Sequence, residues 1–359
     1  MSYNARIAEC YQEVSLSREE LAYYARHILL PGVGLDGQRK LKAARVLVVG
    51  AGGLGCPVLQ GLAGAGVGQI TVVDGDQVSK SNLSRQWLHD YAEVGRNKAD
   101  SAAASIEKRN PFISVLAVAE MLAETNARTL IESCDLVVDA TDDLEVRYLI
   151  DSVCAAQGRP WIHAALYRES SQMTVFWASC GATFQSLYPD PSIAPSCSGA
   201  GMLGASASLT GNLQALEAIK LITGTGRPTV GEVVSINSAD LVMERFRMAG
   251  ISQPKPITSE AASSSPWALS ASELKQALSI HQSLTLVDLR KEGEALVQNS
   301  IRMTEEQVLE AGLPEQVSGR TVLVCEKGII SAMLADALSR YHEQLYFLEG
   351  GTQAFEELA

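Results

Sequence analysis

The sequence predicts an α/β fold, a doubly wound and mostly parallel sheet with an antiparallel extension, followed by a small C-terminal α/β domain. Two observations carry this prediction. Uninterrupted apolar runs of strand length alternate with helical segments, a pattern typical of parallel sheets whose two faces are both covered. The first of these runs is followed directly by a glycine-rich turn and then by a helical segment.

Each element of the first domain has a local signal. Ser17 and Glu20 have the spacing of a capping box, which predicts a helix that runs towards His27. Apolar runs predict strands at 45–49, 69–74, 135–139 and 160–164. Composition predicts helices at 54–66, 98–109, 143–156 and, rich in alanine and leucine, from about 202 to 223. Residues 171–178 and 229–247 are predicted to form antiparallel strands.

The alternation stops at residues 250–266, GISQPKPITSEAASSSP. Prolines, serines and few apolar residues are typical of an interdomain linker. Beyond this stretch, Ser270 and Glu273 form a second capping box. Strands are predicted at 284–287 and 321–324, and a helix at 330–341. We therefore predict a first domain at 1–249, a linker at 250–266 and a second domain at 267–359.

Composition excludes several classes of protein. The 359 residues include 29 Lys and Arg against 41 Asp and Glu, a net charge of −12, which disfavours sequence-independent nucleic-acid binding. Seven scattered cysteines do not resemble a disulfide framework. The N-terminus lacks the apolar core of a signal peptide, so a cytoplasmic location is expected. Val46–Val73 is uncharged and long enough to cross a bilayer, but its eight glycines argue against a membrane helix.

The glycine-rich turn is the first candidate site. Gly50, Gly52, Gly53 and Gly55 lie between a predicted strand and a predicted helix. Such a turn brings backbone amides and the positive end of a helix close to a phosphate, as in Rossmann-like nucleotide sites. Asp74 ends the next strand, where it can accept hydrogen bonds from ribose hydroxyls. On its own the motif suits NAD or ATP equally, and a purely structural turn is the alternative.

Further motifs follow in a fixed order. They are Asp74-Gly75-Asp76, the segment SNLSRQ at 81–86 and Lys98, with Tyr24–His27 upstream and Ala140–Asp143 downstream. With them, residues 15–248 resemble the ubiquitin-activating superfamily, most closely the adenylyltransferases that activate sulfur-carrier proteins for molybdopterin and thiamine synthesis. The resemblance favours ATP, because an NAD dehydrogenase has no use for Arg85, Lys98 and Asp142 around a triphosphate.

The resemblance implies a role for each motif residue. Attack of a carboxylate on the α-phosphate of ATP builds negative charge, which cations and a metal ion stabilise. It implies that Arg85 and Lys98 contact the phosphates and that Asp142 binds Mg²⁺. The other nucleotide contacts that it implies are Asp74 at the ribose, Asn82 at the phosphates, and Asp76 and Gln86. Arg26 would reach the site of a neighbouring subunit, which implies a homodimer.

The sequence departs from the family pattern in two places. The family usually has asparagine where Asp143 stands here, so a second carboxylate could alter metal or ATP binding. Relatives also bind zinc through two Cys-x-x-Cys pairs, but Thr183–Ser186 occupy the first place and 240–260 contains no cysteine. Because a structural zinc site needs four soft or imidazole ligands, no zinc site is expected.

Two cysteines are candidates for sulfur chemistry. Cys197 lies in a Pro/Ser-rich segment that resembles the crossover loop of the family, whose cysteine can bond covalently to the carrier; a structural cysteine is the alternative. Cys325 lies between a predicted strand and helix, in CEKGIIS, with Asp288–Arg290 before it and Leu348–Gly351 after it. This second domain resembles a rhodanese domain, whose loop cysteine carries a persulfide. Ile330 stands where an arginine is often found, so a non-catalytic docking module is the alternative.

The expected function is ATP-dependent adenylation of the C-terminal glycine of a small ubiquitin-like sulfur-carrier protein that ends in Gly-Gly, in support of its thiocarboxylation. Arg85, Lys98, Asp142, Cys197 and Cys325 would carry the chemistry, with ATP, Mg²⁺ and a persulfide donor as reactants. One alternative is activation of another carrier, for a specialised sulfur metabolite or tRNA thiolation. Others are an NAD-sensing protein and a non-catalytic nucleotide-binding scaffold. No nucleic-acid or membrane partner is expected.

Overall fold

The computed structural model describes residues 5–30, 32–190, 201–252, 267–279, 284–290, 292–293, 296, 300–314, 317, 319–339 and 341–357. The chain divides into two compact units by its internal contacts. The larger unit consists of Met1–Val14 and Lys40–Ile257, and the smaller of Ser15–Arg39 and Thr258–Ala359.

The larger unit is built on a mixed sheet, which has eight strands in the described residues, in the order β3-β2-β1-β4-β5-β6-β7-β8. Its strands are Arg45–Val49 (β1), Gln69–Val73 (β2), Ser114–Val118 (β3), Leu136–Asp139 (β4), Trp161–Tyr167 (β5), Ser170–Phe176 (β6), Glu232–Asn237 (β7) and Val242–Arg247 (β8). β1 to β5 pair in parallel, and β6 to β8 extend the sheet in antiparallel fashion. The predicted fold class is confirmed.

Helices cover the sheet because the central strands are apolar on both faces. In β1, β2 and β4 the residues are buried almost throughout, as expected for parallel strands between two helical layers.

The helices of both units, in chain order and among the described residues, are Ala5–Cys10 (α1), Arg18–Tyr23 (α2), Ala25–Ile28 (α3), Gly34–Ala43 (α4), Gly55–Ala65 (α5), Lys98–Glu107 (α6), Glu124–Glu132 (α7), Leu144–Gln157 (α8), Phe184–Leu187 (α9), Gly204–Thr223 (α10), Ala271–Ser279 (α11), Glu305–Ala311 (α12), Ile329–Leu338 (α13) and Gly351–Glu356 (α14).

The order of the strands determines where a ligand can bind. The chain moves from β1 to β2 and β3 on one side, and then returns to place β4 on the other side of β1. Helices leave the sheet in opposite directions at such a reversal, so a crevice opens at the carboxyl ends of the two central strands. In this chain those ends are Gly50, after β1, and Ala140, after β4.

The smaller unit contains a five-stranded parallel sheet among the described residues, in the order β11-β10-β12-β13-β9. Its strands are Ala268–Leu269 (β9), Leu284–Asp288 (β10), Ile301–Arg302 (β11), Arg320–Val324 (β12) and Leu345–Leu348 (β13). Leu274, Leu286, Val322 and Leu348 contribute to its core. It is the small α/β domain that the sequence predicts, with the capping box of Ser270 and Glu273 at the start of α11.

One stretch falls on the other side of the predicted domain boundary. Ser15–Arg39, predicted within 1–249, groups with the smaller unit. Within this unit, Tyr341 donates a hydrogen bond to the carbonyl oxygen of Leu16 at 2.9 Å. Arg18 also stacks over the ring of Tyr341, 4.9 Å from its centroid. The stretch therefore joins the C-terminal unit through tertiary contacts, although it lies early in the sequence.

None of the helices in the described parts of the chain is long and apolar enough to span a bilayer. The apolar stretch that raised this question consists of β1, the glycine turn, α5 and β2, in agreement with the prediction.

Candidate functional site

A cleft opens at the carboxyl ends of β1, β2 and β4, with a cavity volume of about 470 Å³. This volume is in the range of small-molecule sites. The cleft lies within the larger unit and includes most of the predicted nucleotide-binding residues, namely Gly50, Gly52, Gly53, Asp74, Asp76, Asn82, Arg85, Gln86, Lys98 and Asp142. Met121, Leu122, Val146 and Leu166 add apolar walls.

The glycine turn has a shape that side chains would not allow. Gly50 has φ of +98°, and a Cβ there would lie 2.8 Å from the carbonyl oxygen of Ala140. Gly55 does not line the cleft; it begins α5, and a Cβ there would lie 1.9 Å from the carbonyl oxygen of Gly50. These two glycines therefore serve the close packing of β1, α5 and the end of β4, and Gly52 and Gly53 border the cleft.

Asp74 holds the glycine turn in place. Its buried carboxylate accepts hydrogen bonds from the backbone amides of Ala51 and Asp76, both at 2.8 Å. Asp74 thereby connects the turn after β1 to the end of β2. The side chain also lines the cleft, and its contact with a ribose remains a prediction.

Lys98 is the first residue of α6 and is almost fully buried. Its ammonium nitrogen lies 2.8 Å from the carboxylate of Asp76, whose side chain is 62% exposed. Asn97 caps the helix by accepting from the amide of Ala99 at 2.8 Å. The cap and the ion pair fix a positive charge at the wall of the cleft.

The segment 81–86 supplies a second cation and two amides. Arg85 donates to the carbonyl oxygen of Ser81 at 3.1 Å and lines the cleft together with Asn82. Gln86 is buried against the glycine turn, and its Oε1 has no hydrogen-bond partner in the described structure. A Cβ on Gly52 would lie 3.6 Å from Nε2 of Gln86. An orphaned polar atom of this kind in a cleft indicates a place where a polar ligand or water binds.

The neighbouring residues Asp142 and Asp143 have different surroundings. Asp142 is exposed in the cleft. Asp143 is the N-cap of α8 and accepts from the amides of Glu145 and Val146, at 2.8 and 3.3 Å. Asparagine and aspartate cap helices equally well, which explains physically why the departure from the family pattern is tolerated. The expected effect of Asp143 on the metal is not supported, because it does not line the cleft.

The cleft fits a magnesium ion that binds together with a nucleotide. No group of three or more His, Cys, Asp or Glu side chains that could hold a metal occurs in the described residues. Mg²⁺ is commonly bound by only one or two carboxylates together with substrate phosphates. Asp142 provides such a carboxylate beside the basic side chains.

A buried polar network supports the loop that carries Asp142. Asp139, at the end of β4, accepts from Nε of Arg147 at 3.2 Å and contacts Nδ1 of His163 at 2.9 Å. It also accepts from the amide of Thr141 at 3.0 Å, and Arg147 donates to the carbonyl oxygen of Thr141 at 2.7 Å. Burial lowers the pKa of His163 below its usual value. The sequence analysis does not predict a role for these residues. The signal that could have indicated the network is Asp139, an aspartate that ends a buried strand.

Thr183 and Ser186, at the place where the family pattern predicts zinc-binding cysteines, form a capping box. Thr183 Oγ1 accepts from the amide of Ser186 at 3.0 Å, and Ser186 Oγ accepts from the amide of Thr183 at 3.2 Å. The carboxylate of Asp151 accepts from the amides of Phe184 and Gln185, at 2.9 and 3.2 Å. Hydrogen bonds and the buried ring of Phe184 hold α9 in place.

Of the two candidate sulfur residues, the structure describes Cys325, which belongs to the smaller unit. Cys197 is outside the described residues. Cys325 follows β12 and is buried; its Sγ accepts from the amide of Ser331 at 3.4 Å and lies 3.3 Å from the hydroxyl oxygen of Ser331. Burial raises the pKa of Cys56 and of Cys134 to about 12, as predicted for thiols in apolar segments.

Arg26 does not line the cleft. It lies in the smaller unit, on α3, where its guanidinium forms an ion pair with Glu306 of α12. Its side chain is 75% exposed. The predicted contact with the site of a second subunit remains a prediction.

Comparison with known proteins assigns the family. Residues 24–256 match the ThiF family. The chain belongs to the ThiF family. This result confirms the resemblance to adenylyltransferases that the ordered motifs indicate, and the matched residues include every predicted side chain of the cleft.

Relatives with curated names extend beyond the ThiF domain. The chain is 36% identical over 375 residues to the probable adenylyltransferase/sulfurtransferase MoeZ of Mycobacterium tuberculosis, covering 95% of this chain and 94% of that protein. It is 40% identical over 237 residues to the adenylyltransferase and sulfurtransferase MOCS3 of Mus musculus, covering 65% of this chain and 52% of that protein. It is 39% identical over 234 residues to the SAMP-activating enzyme E1 of Haloferax volcanii, covering 64% and 86%.

Solved structures show the same fold. Escherichia coli MccB with ATP superposes with a TM-score of 0.55 at 22% identity, covering 72% of this chain and 75% of that chain. PaaA superposes with a TM-score of 0.57 at 23% identity, covering 66% and 75%. At these identities the comparison establishes the ThiF-family fold.

Proposed function

We propose that this chain is an ATP-dependent adenylyltransferase that acts on the C-terminal glycine of a small ubiquitin-like sulfur-carrier protein and supports its thiocarboxylation. The observation that carries the proposal is the cleft at the reversal of strand order. There the glycine turn, Arg85, Lys98 and Asp142 border one cavity. The adenylyltransferase names of MoeZ and MOCS3, which align over 95% and 65% of this chain, support the same assignment.

The chemistry follows from the charges around the cleft. A carboxylate oxygen of the carrier attacks the α-phosphorus of ATP, an anhydride bond to AMP forms, and pyrophosphate leaves with its electron pair. Negative charge builds on the phosphate oxygens during this step. Arg85 and Lys98 stabilise that charge from fixed positions, which is the most effective form of electrostatic catalysis. Asn82 and the free amides of the glycine turn orient the phosphates.

Asp142 is the residue that would hold Mg²⁺, which supplies additional charge stabilisation to the phosphates when bound. The turn between β4 and α8 carries this residue. The backbone amide of its neighbour Thr141 donates to Asp139, and the carbonyl oxygen of Thr141 accepts from Arg147. The chain therefore positions the metal-binding carboxylate through backbone contacts.

The smaller unit would handle sulfur. Cys325 accepts sulfur from a persulfide donor, when its thiolate attacks the terminal sulfur and the donor thiolate leaves. Ser331 supplies an amide hydrogen-bond donor to that sulfur atom. The terminal sulfur of the resulting persulfide attacks the carbonyl carbon of the acyl adenylate, AMP leaves, and an acyl disulfide joins Cys325 to the carrier. Attack of a further thiol on the Cys325 sulfur then forms a disulfide and releases the thiocarboxylate. Cys197 is the second candidate for a covalent bond to the carrier. Arg26 of one subunit would complete the site of another in a homodimer.

Nucleotide selectivity tests the proposal against its alternatives. We expect the purified chain with Mg²⁺ to bind ATP in isothermal titration calorimetry and to show no heat with NAD. Binding of NAD in preference to ATP would contradict the proposal and favour a redox-sensing protein. ATP binding without pyrophosphate exchange, in the presence of a carrier ending in Gly-Gly, would favour a non-catalytic scaffold.

A further inference from the structure

His89 is a buried histidine that no predicted role accounts for. It lies three residues after Gln86, and its side chain is not part of the cleft wall. Its Nε2 is 2.9 Å from the carbonyl oxygen of Ala51, which lies in the middle of the glycine turn. Because a carbonyl oxygen can only accept, Nε2 carries a proton and donates it to Ala51.

The second ring nitrogen of His89 contacts α6, the helix that begins with Lys98. Nδ1 of His89 is 2.7 Å from the hydroxyl oxygen of Ser101, which is fully buried in α6. Oγ of Ser101 also lies 2.8 Å from a carboxylate oxygen of Glu93, and its one proton goes either to that carboxylate or to Nδ1 of His89. Ser101 lies three residues after Lys98, one helical turn along the same face. The imidazole therefore bridges the glycine turn and the first turn of α6.

Side chains from two other segments hold the backbone of Ala51, one at its amide and one at its carbonyl oxygen. Its amide donates to Asp74 at 2.8 Å, and its carbonyl oxygen accepts from His89. Gly50 and Gly52 flank Ala51 in the sequence. Glycines leave a backbone free to rotate, so the two hydrogen bonds restrict a segment that would otherwise sample many conformations.

We propose that His89 is a positioning residue that fixes the glycine turn relative to Lys98, so that both face the phosphates of ATP in one geometry. This inference rests on the proposed function and concerns the organisation of the same site. His89 itself does not contact the nucleotide. Removal of its bond to Ala51 releases the turn, and ATP then has to order the turn on binding.

Two substitutions distinguish the contacts that the two ring nitrogens of His89 make. In His89→Gln the side-chain amide nitrogen can reach the position of Nε2 and keep the bond to Ala51. In His89→Asn it reaches only the position of Nδ1 and keeps the contact with Ser101. We expect calorimetric ATP affinity with Mg²⁺ to fall roughly five- to tenfold in His89→Asn and His89→Ala, the scale of one buried hydrogen bond. His89→Gln should stay within about twofold of the wild type.

Steady-state exchange gives a second readout. We expect KM for ATP to rise in His89→Asn, with kcat at saturating ATP nearly unchanged, because bound ATP orders the turn. His342→Gln, a histidine of the smaller unit, is the control for histidine replacement. Thermal unfolding of each variant shows whether the fold is intact. If His89→Asn and His89→Ala do not fold, folded His89→Gln decides: an ATP affinity within about twofold of the wild type supports the bond to Ala51 as the operative contact, and a five- to tenfold loss overturns the inference.

The outcomes distinguish this inference from the proposed function. If the wild type does not bind ATP, the proposed function fails. If the wild type binds ATP and folded His89→Asn binds it equally tightly, the positioning role is overturned and the proposed function stands. If His89→Gln is as impaired as His89→Ala, the bond to Ala51 is not the operative contact and the inference is also overturned.

Discussion

Arg85 and Lys98 both bring positive charge to the cleft, but they differ in burial and in the charge of their hydrogen-bond partners. Lys98 is almost fully buried and already paired with the carboxylate of Asp76. Arg85 is half-buried and donates a hydrogen bond to the neutral carbonyl oxygen of Ser81. A cation held by a neutral partner keeps more of its charge available for a phosphate. Arg85 is therefore the side chain whose removal should affect the chemistry with least effect on the fold.

We predict that Arg85→Ala lowers the rate of carrier-dependent ATP–pyrophosphate exchange at least about a hundredfold, the cost of losing one preorganised group that stabilises developing charge. The free energy of unfolding in urea should change little, because the hydrogen bond of Arg85 to the carbonyl oxygen of Ser81 is exposed to solvent. Arg128→Ala is the matched control, since Arg128 is an exposed arginine of α7 that does not line the cleft. Exchange at the wild-type rate in Arg85→Ala would exclude a role for this residue at the phosphates.

Cys325 differs from the other buried cysteines in its surroundings. Ser331 presents an amide and a hydroxyl group to its sulfur atom, whereas burial raises the pKa of Cys134 to about 12. We predict that incubation with thiosulfate or a persulfide donor adds one sulfur atom to the wild type and to Cys134→Ala, but not to Cys325→Ala. Intact-mass spectrometry measures the addition. An adduct that persists in Cys325→Ala and disappears in Cys197→Ala would transfer the sulfur chemistry to Cys197.

Most residues of the cleft could be predicted from the sequence because they occur in contiguous motifs. The glycine turn, the segment 81–86 and Asp142 each follow a strand whose apolar run is easily recognised. His89, Arg147 and His163 could not be predicted in this way. Each acts through a partner in another segment, such as Ala51 for His89 or Asp139 for His163. A buried polar residue gains its role only from tertiary contacts.

At the scale of secondary structure, the central strands with two buried faces and the antiparallel strands at 171–178 and 229–247 were predicted, and the edge strand β3 was not. β1 has the predicted bounds, Arg45–Val49, and β4 differs from the prediction by one residue. Ser114–Val118 forms β3 at the edge of the sheet, and none of its residues is fully buried. An edge strand does not need a continuous apolar run, so its sequence gives a weaker signal. The helix predicted to continue to His27 instead ends at Tyr23, and Ala25–Ile28 is a separate short helix.

The short helix α9 shows how this chain would dispense with a metal. Its first turn is held by the Thr183–Ser186 capping box and by the carboxylate of Asp151. Within 240–260, where the family pattern predicts the second pair of cysteines, the amide of Ser252 donates to the carbonyl oxygen of Cys180 at 3.2 Å. A direct hydrogen bond thus connects the two segments in which the family pattern predicts zinc ligands.

We predict that the purified chain contains no stoichiometric zinc and that chelation leaves its unfolding temperature unchanged. Elemental analysis by mass spectrometry measures the metal. Asp151→Ala should instead lower the free energy of unfolding by about 1–3 kcal/mol, because the amides of Phe184 and Gln185 lose their acceptor. One zinc ion per chain, or unfolding upon addition of a chelator, would contradict this account of α9.

At the scale of the whole molecule, the two units correspond to the two kinds of chemistry that the sequence predicts. The larger unit contains the cleft at the reversal of strand order, and the smaller unit contains Cys325. The alternation of strands and helices made the fold class predictable from the sequence. The grouping of Ser15–Arg39 with the smaller unit was not predictable, because it depends on contacts such as that between Leu16 and Tyr341, which are far apart in the sequence.

The central claim is that the cleft activates the C-terminal glycine of a carrier protein with ATP. Carrier-dependent exchange of labelled pyrophosphate into ATP tests it most directly, with the purified chain, Mg²⁺ and a small ubiquitin-like protein that ends in Gly-Gly. We predict exchange with this carrier and none with the same carrier after removal of its last glycine. Exchange that is equally fast without any carrier, or no exchange by a chain that binds both ATP and the carrier, would contradict the claim.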